Sequence, residues 1–215
     1  MPKRRKPSNL VPEKTMRIFC EGEKTEPIYV NGYLQNSVNS GRKSVIRIEK
    51  TRKNTPIQLV EAAISAKQSP NSLPDDEFWV VYDREAVSKY SHVLHSEARQ
   101  KAVGQGINIA LSNVCFEYWL LLHLIDTQAP YSSHTNLRTT SPFLDEFKLQ
   151  TGKDYGKSSA ETFSLLREWI PLARERAKRL NQNGHDNAVS PKNAQHHINP
   201  YVGVVDLLDA IDDFD

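Results

Sequence analysis

Phe78-Trp-Val-Val-Tyr82 is a continuous apolar run that stops abruptly at Asp83-Arg84-Glu85. A run of this length without polar alternation is the pattern of a strand buried on both faces of a parallel sheet. Reading upstream, Met16-Arg-Ile-Phe-Cys20 forms a first short strand ended by Glu21-Gly22. Thr25 is placed to cap a helix reaching about Ser37, with Glu26 and Pro27 in its first turn. Ser44-Val-Ile-Arg-Ile48 alternates like a second strand, and Thr55-Pro56 opens a helix with Ile57, Val60 and Ile64 on one face. Ser69–Asp76, with two prolines, is a loop. Downstream, a helix over about Ser88–Val103 carries Val93, Leu94, Ala98 and Ala102 as its apolar stripe and Gly104 as its stop. Ile107-Asn-Ile-Ala-Leu111 is a fourth strand, and Phe116–Ile125 a very apolar helix. Strand and helix thus alternate four times before residue 126. That order predicts βαβ units: an α/β fold with a parallel sheet flanked by helices.

The remainder changes character and suggests three regions: a basic disordered arm over 1–15, an α/β core over 16–125, and a second part over 126–215 packing on it. Within that part, residues 126–158 are polar and turn-rich, either an ordered insert or a mobile loop. Helical patterns occupy about Ser159–Asn181, with Pro171 expected to kink or divide them. Asn199-Pro200 is expected to open a last helix whose Val204, Val205, Leu208 and Ile211 face inward.

Composition excludes several classes. The 215 residues are 38% hydrophobic and 25% charged, which suits a globular protein rather than a disordered or fibrous one. An apolar run such as Tyr118–Leu122 falls far short of the roughly 18–20 residues of a membrane-spanning helix, so no membrane association is expected. Met1–Lys6 is basic but no apolar stretch follows, so no secretory signal is expected. Cys20 and Cys115 cannot build a disulfide scaffold or a four-ligand zinc site, which points to the reducing cytoplasm. The net charge of +2 hides an asymmetry. Residues 1–17 hold six basic side chains against Glu13 alone, whereas 206–215 hold five aspartates and no base. A basic arm can hold phosphates, though a solvated chain end explains it equally. The acidic end is a candidate docking segment.

In open parallel sheets, sites form at the carboxyl ends of strands. Here the first strand ends in Glu21 and the third in Asp83 and Glu85. Two residues apart on an extended segment, Asp83 and Glu85 would point the same way and share one cation. Hard oxygen ligands of this kind suit Mg²⁺, or Mn²⁺ in its place. Glu21 would add a third carboxylate or act as base on an attacking water. Glu117, where the fourth strand meets a helix N-terminus, reads as a dipole-stabilised acid or as a further metal ligand. Lys157, in Tyr155-Gly-Lys157, is a candidate for offsetting charge on a scissile phosphate, with Lys24 beside Glu21 as a second. Arg167, Arg174, Arg176, Lys178 and Arg179 make a basic helical face, by default solvated, and Arg174 and Lys178 are its candidate nucleic-acid contacts. Arg84 is expected to point away from the carboxylates and to pair with another acid. His196-His197 is rejected as a metal site, because adjacent residues diverge and no third histidine stands at suitable spacing. Walker A and dinucleotide fingerprints are missing, so the chain is not expected to bind ATP itself.

Glu-Gly after the first strand and Asp-x-Glu after the third resemble the Toprim fold of topoisomerases, primases and OLD-family nucleases. That resemblance implies carboxylates binding Mg²⁺ for phosphoryl-transfer chemistry, with Glu85 standing where the family has a second aspartate, and a lysine beyond the strands, for which Lys157 is the candidate. A closer resemblance lies within that fold. Cys20-Glu-Gly-Glu-Lys-Thr-Glu-Pro27, Val80-Val-Tyr-Asp-Arg-Glu85, Ser112-Asn-Val-Cys-Phe-Glu-Tyr-Trp-Leu-Leu-Leu-His123 and Asn199-Pro-Tyr201 together look like the RloB family, over about 16–211. It implies a Toprim-type nuclease effector of antiviral abortive infection, encoded beside a partner ATPase. The expected activity is hydrolysis of RNA (tRNA among the candidates) or DNA, with Glu21, Asp83, Glu85 and Lys157 catalytic and Glu21, Asp83, Glu85 and Glu117 holding metal. The alternative is a catalytically silent sensor or scaffold subunit of an ATPase complex, and a homo-oligomer is compatible with either.

Overall fold

The computed structural model describes residues 13–36, 45–53 and 55–214. Most of the basic arm, Ser37, Ser44 and Asp215 lie outside the described residues. Five strands form one sheet: β1 (Met16–Cys20), β2 (Ile46–Glu49), β3 (Glu77–Asp83), β4 (Asn108–Asn113) and β5 (Tyr201–Val202). Their spatial order is β2-β1-β3-β4-β5. The first four run parallel, and β5 pairs antiparallel with β4.

The apolar run of β3 explains its central place. Phe78, Val80 and Tyr82 enter one core layer with Phe19, Leu59, Val60, Ala63, Ala98 and Ala102. Trp79 and Val81 enter the other with Met16, Ile18 and Cys20. The first layer lies under α2 (Pro56–Lys67) and α3 (His92–Gly104). The second lies under α1 (Thr25–Asn36), α4 (Glu117–Leu124), α8 (Ile170–Asn187) and α9 (Val204–Asp213). Every residue of α4 is buried, so it is the axis of that layer rather than an amphipathic cover.

Local rules set most boundaries. Thr55 caps α2, its hydroxyl accepting from Gln58 N–H, with Pro56 in the first turn. Ser91 caps α3 in the same way through Leu94 N–H, so that helix starts at His92, later than the expected Ser88. Its buried stripe is therefore His95, Ala98 and Ala102, while Val93 is 65% exposed. In α2 the inner face is Leu59, Val60 and Ala63, with Ile57 and Ile64 half-buried beside it. Pro171 divides the later helices as expected: α7 (Thr162–Leu166) and a 3-10 turn (Arg167–Trp169) precede α8, which carries Pro171 in its first turn.

Of the two alternatives for residues 126–158 the structure shows the ordered insert: two helices, α5 (His134–Thr140) and α6 (Phe143–Thr151), are pinned by Leu137, Phe143 and Phe147 in the core. Two expectations are corrected. Asn199-Pro200 precedes β5, and α9 begins only after Gly203. Two residues of strand are too short to show periodicity; β5 is fixed by pairing with β4 and by Asn181, whose amide donates to Val202 O and accepts from Val202 N–H. Gly203 is required there, since a Cβ would stand 2.7 Å from Leu111 N and 2.8 Å from Leu111 O. Thr25, finally, does not act as an external cap: it is the first helical residue, and its hydroxyl donates to Lys157 O at 2.7 Å.

Candidate functional site

The strand register delivers the first acids. Cys20 sits opposite Val81, and Glu21 N–H still donates to Val81 O, one residue beyond β1. The Glu21 side chain then lies over the end of β3, where its Oε2 accepts from Asp83 N–H at 3.2 Å and its Oε1 from the Tyr90 hydroxyl at 3.4 Å. Asp83, the last residue of β3, makes no side-chain hydrogen bond among the described residues.

The extended-strand argument for Asp83 and Glu85 fails. Glu85 has φ +57°, the left-handed region, so the chain turns after β3 instead of continuing its pleat. The turn is held by β4 and its sequel, as Arg84 N–H donates to Ser112 O and Glu85 N–H to Val114 O. Glu85 still contributes charge to the cluster, but its Oε1 is held by Lys89 Nζ at 2.7 Å. Arg84 does turn to the far side. Its partners are carbonyls and a histidine rather than an acid: Nε donates to His196 O, Nη1 to Tyr90 O, and Nη2 lies 3.3 Å from His92 Nδ1.

Two further acids complete the group. Glu26, on the first turn of α1, is 7% exposed, and a Cβ at Gly22 would run into its carboxylate. Glu117, the first residue of α4, is 1% exposed. Its Oε1 accepts from the Tyr155 hydroxyl at 3.1 Å and lies 3.2 Å from His134 Nε2 and 3.8 Å from Lys157 Nζ. Lys157 is thus carried to the site by the segment after α6, tied down by the Thr25 bond to its carbonyl.

The electrostatics split the acids. Burial raises Asp83 well above the carboxylate range, and Glu26, Glu117, Glu21 and Glu85 push it further. Burial, offset by the Asp83 N–H and Lys89 and assisted by Glu85 and Glu26, lifts Glu21 to about 7. Glu26 is raised by burial and by Glu117. Glu117 goes the other way. Burial works against its charge, but His134 and Lys157 outweigh it and hold Glu117 down at about 2.

The structure therefore brings Glu21, Asp83, Glu85, Glu117 and Lys157 together. Lys24 is exposed at the entrance to α1. Arg174 and Lys178 are not at the cluster. Arg174 donates to the Tyr33 hydroxyl and pairs with Asp212 at 2.7 Å, and Lys178 pairs with Asp209 at 2.6 Å, because α9 lies along the basic face of α8. The same pairs engage part of the acidic segment considered for docking. Sequence reasoning missed Lys89, His134 and the role of Tyr155, which come from segments with no pattern pointing at the strand ends. The sequence already places Glu26 in the first turn of α1 as a residue able to touch the metal, and the structure brings it to the cluster.

A family model described as RloB-like protein matches residues 16–211. The chain belongs to the RloB-like family. No curated protein and no solved structure matches it. In this RloB-like chain the match begins at the first residue of β1 and ends two residues before the end of α9, so sheet, insert and carboxylate cluster all lie within it. No described helix is long and apolar enough to cross a membrane.

The donor set fits a hard divalent cation: five carboxylates, three of them destabilised as anions by one another and by burial. Among the described residues, no three carboxylates have ligand atoms all within 4.8 Å of one another. That spacing allows at most two of them directly on one ion, the number Mg²⁺ usually takes, with the others reaching it through its waters.

Proposed function

We propose that this RloB-like protein is a Mg²⁺- or Mn²⁺-dependent, Toprim-like phosphodiesterase that cuts RNA (tRNA among the candidates) or DNA as a defence effector working with a partner ATPase. The observation that carries the reading is the convergence of Glu21, Glu26, Asp83, Glu85 and Glu117 at the carboxyl ends of parallel strands, with anionic charge that the nearby cations leave only partly balanced. Asp83 and Glu26 would hold the metal, with Glu21 reaching it through a water and Glu117 behind them. A bound divalent ion supplies charge neutralisation at the phosphate and a more acidic water. The chain supplies the rest. Glu21, titrating near neutrality, is matched to accept a proton from water. Lys157, held against Glu117, presents a positive charge for the phosphate, and the fixed Glu117 charge keeps that lysine at the site.

A catalytically silent scaffold is favoured by one observation, the closed Glu85–Lys89 pair, which already neutralises the acid of the Asp-x-Glu motif. Single-turnover incubation with labelled tRNA and plasmid DNA, with and without the neighbouring ATPase, separates the two. Metal-dependent cleavage abolished by Asp83→Ala and Glu21→Ala is expected. Cleavage surviving both substitutions refutes the site, and a stable ATPase complex that never cuts supports the scaffold.

A further inference from the structure

His92, His196 and His197 each offer one ring nitrogen, and these three atoms all lie within 4.8 Å of one another. We propose that this trio binds a late first-row transition-metal ion of the Zn²⁺ class, at a site separate from the carboxylates. The rejection of His196-His197 from sequence rested on divergence of adjacent residues and on the want of a third histidine. A 3-10 turn over Gln195–His197 keeps the two rings 4.2 Å apart, and His92 arrives from the start of α3 to stack on His197 at 4.4 Å.

The scaffold behind the trio is rigid. The Arg84 guanidinium, on a residue 2% exposed, donates to His196 O and to Tyr90 O. One buried cation therefore joins the turn bearing two histidines to the segment leading into the third. His196 Nε2 lies 3.2 Å from Ser96 Oγ, an outer partner that fixes the ring and leaves Nδ1 for a metal. Ligation needs neutral imidazole, the majority form of an ordinary histidine at pH 7.

The same chemistry selects the ion. A neutral set of imidazoles beside Arg84 and Lys192 gives Mg²⁺ no anionic oxygen, whereas Zn²⁺, Co²⁺ and Ni²⁺ bind imidazole strongly. Tetrahedral zinc, with Zn–N of about 2.0–2.1 Å, places its nitrogens roughly 3.3 Å apart. The trio must close by up to about 1.5 Å from its present spread, and His92 and His197, both half-buried, have the freedom to do so. Binding must also displace the 3.3 Å contact of Arg84 Nη2 with His92 Nδ1, while Arg84 keeps its two carbonyls. Three protein ligands leave the fourth position to water.

The test is calorimetric titration of the EDTA-treated, dialysed full chain with Zn²⁺ and Co²⁺ at neutral pH, in excess Mg²⁺ to occupy the carboxylates. One equivalent should bind, and the Co²⁺ form should show the intense visible bands of tetrahedral nitrogen ligation. Affinity should fall at least roughly tenfold in His92→Ala and in His197→Ala, each checked for an unchanged melting temperature without metal, and should hold in Asp83→Asn. Three results overturn the proposal: no binding to the folded chain, binding indifferent to both histidine variants, or binding lost in Asp83→Asn. The cobalt spectrum needs no variant, so a weak octahedral spectrum on the unmodified chain refutes the site by itself. None of these readouts depends on nuclease activity.

Discussion

Glu21→Gln is expected to stabilise the metal-free protein above neutral pH. Folding moves this carboxyl from near 4.5 to about 7, chiefly by burial. A raised acid favours the folded state while it is protonated, and that advantage fades as pH climbs from about 4.5 through 7. At pH 8 the charged form costs the fold about 3 kcal/mol, at about 1.4 kcal/mol per tenfold change in proton affinity. Glutamine removes that cost and can still accept from Asp83 N–H. For a chain of this size the gain corresponds to roughly 6–12 °C in Tm. The assay is urea and thermal unfolding of both proteins in EDTA at pH 5 and pH 8. The variant should be clearly the more stable at pH 8, with a much smaller difference at pH 5. Mg²⁺ should then narrow the gap by stabilising the native sequence, by about 2.7 kcal/mol at a hundredfold excess over Kd. Equal stabilities at pH 8, or a variant less stable at both pH values, would refute the picture of Glu21 as a destabilised anion.

Glu117 titrates in the opposite sense. Held at about 2, it stabilises the fold above the unfolded value near 4.5, and this contribution of about 3 kcal/mol should be lost as pH falls towards 2. Tyr155→Phe, which removes a hydrogen bond to this buried charge, should cost about 1.5–3 kcal/mol at pH 7 in urea melts and far less at pH 2. Gly203→Ala should cost about 1–3 kcal/mol by chemical denaturation, because the new methyl meets the backbone of Leu111 and not a side chain that can turn aside. Arg174→Ala should lower stability by about 1 kcal/mol and leave the salt dependence of nucleic-acid binding unchanged, since its partners are Tyr33 and Asp212; a flatter salt slope would put it back on the nucleic-acid path.

The parallel sheet was legible because each of its strands is apolar enough to be seen and a helical pattern separates each from the next. Pro56 behind Thr55 and Pro171 inside the later helices fell where proline chemistry puts them. What escaped had tertiary causes. Asn181 and the edge of β4 make β5 from two residues that no periodicity marks. Glu21 and Asp83 sit at the strand ends where the sequence puts them. Glu85 lies beside them by a different route, since a left-handed turn replaces the expected pleat. Arg174 and Lys178 looked like a solvated face because their aspartate partners lie more than 30 residues away along the chain. Lys157 was found, while its anchors Thr25 and Glu117 come from two separate helices.

The turn at Glu85 sets stability and chemistry against each other at a single position. Left-handed backbone costs a glutamate about 1–2 kcal/mol that glycine escapes. Directed evolution scored on heat resistance alone would therefore drift towards Glu85→Gly, releasing Lys89 and thinning the negative field around Asp83 while the fold improved. A thermostabilised variant of this protein should be judged by whether that one carboxylate survived the selection.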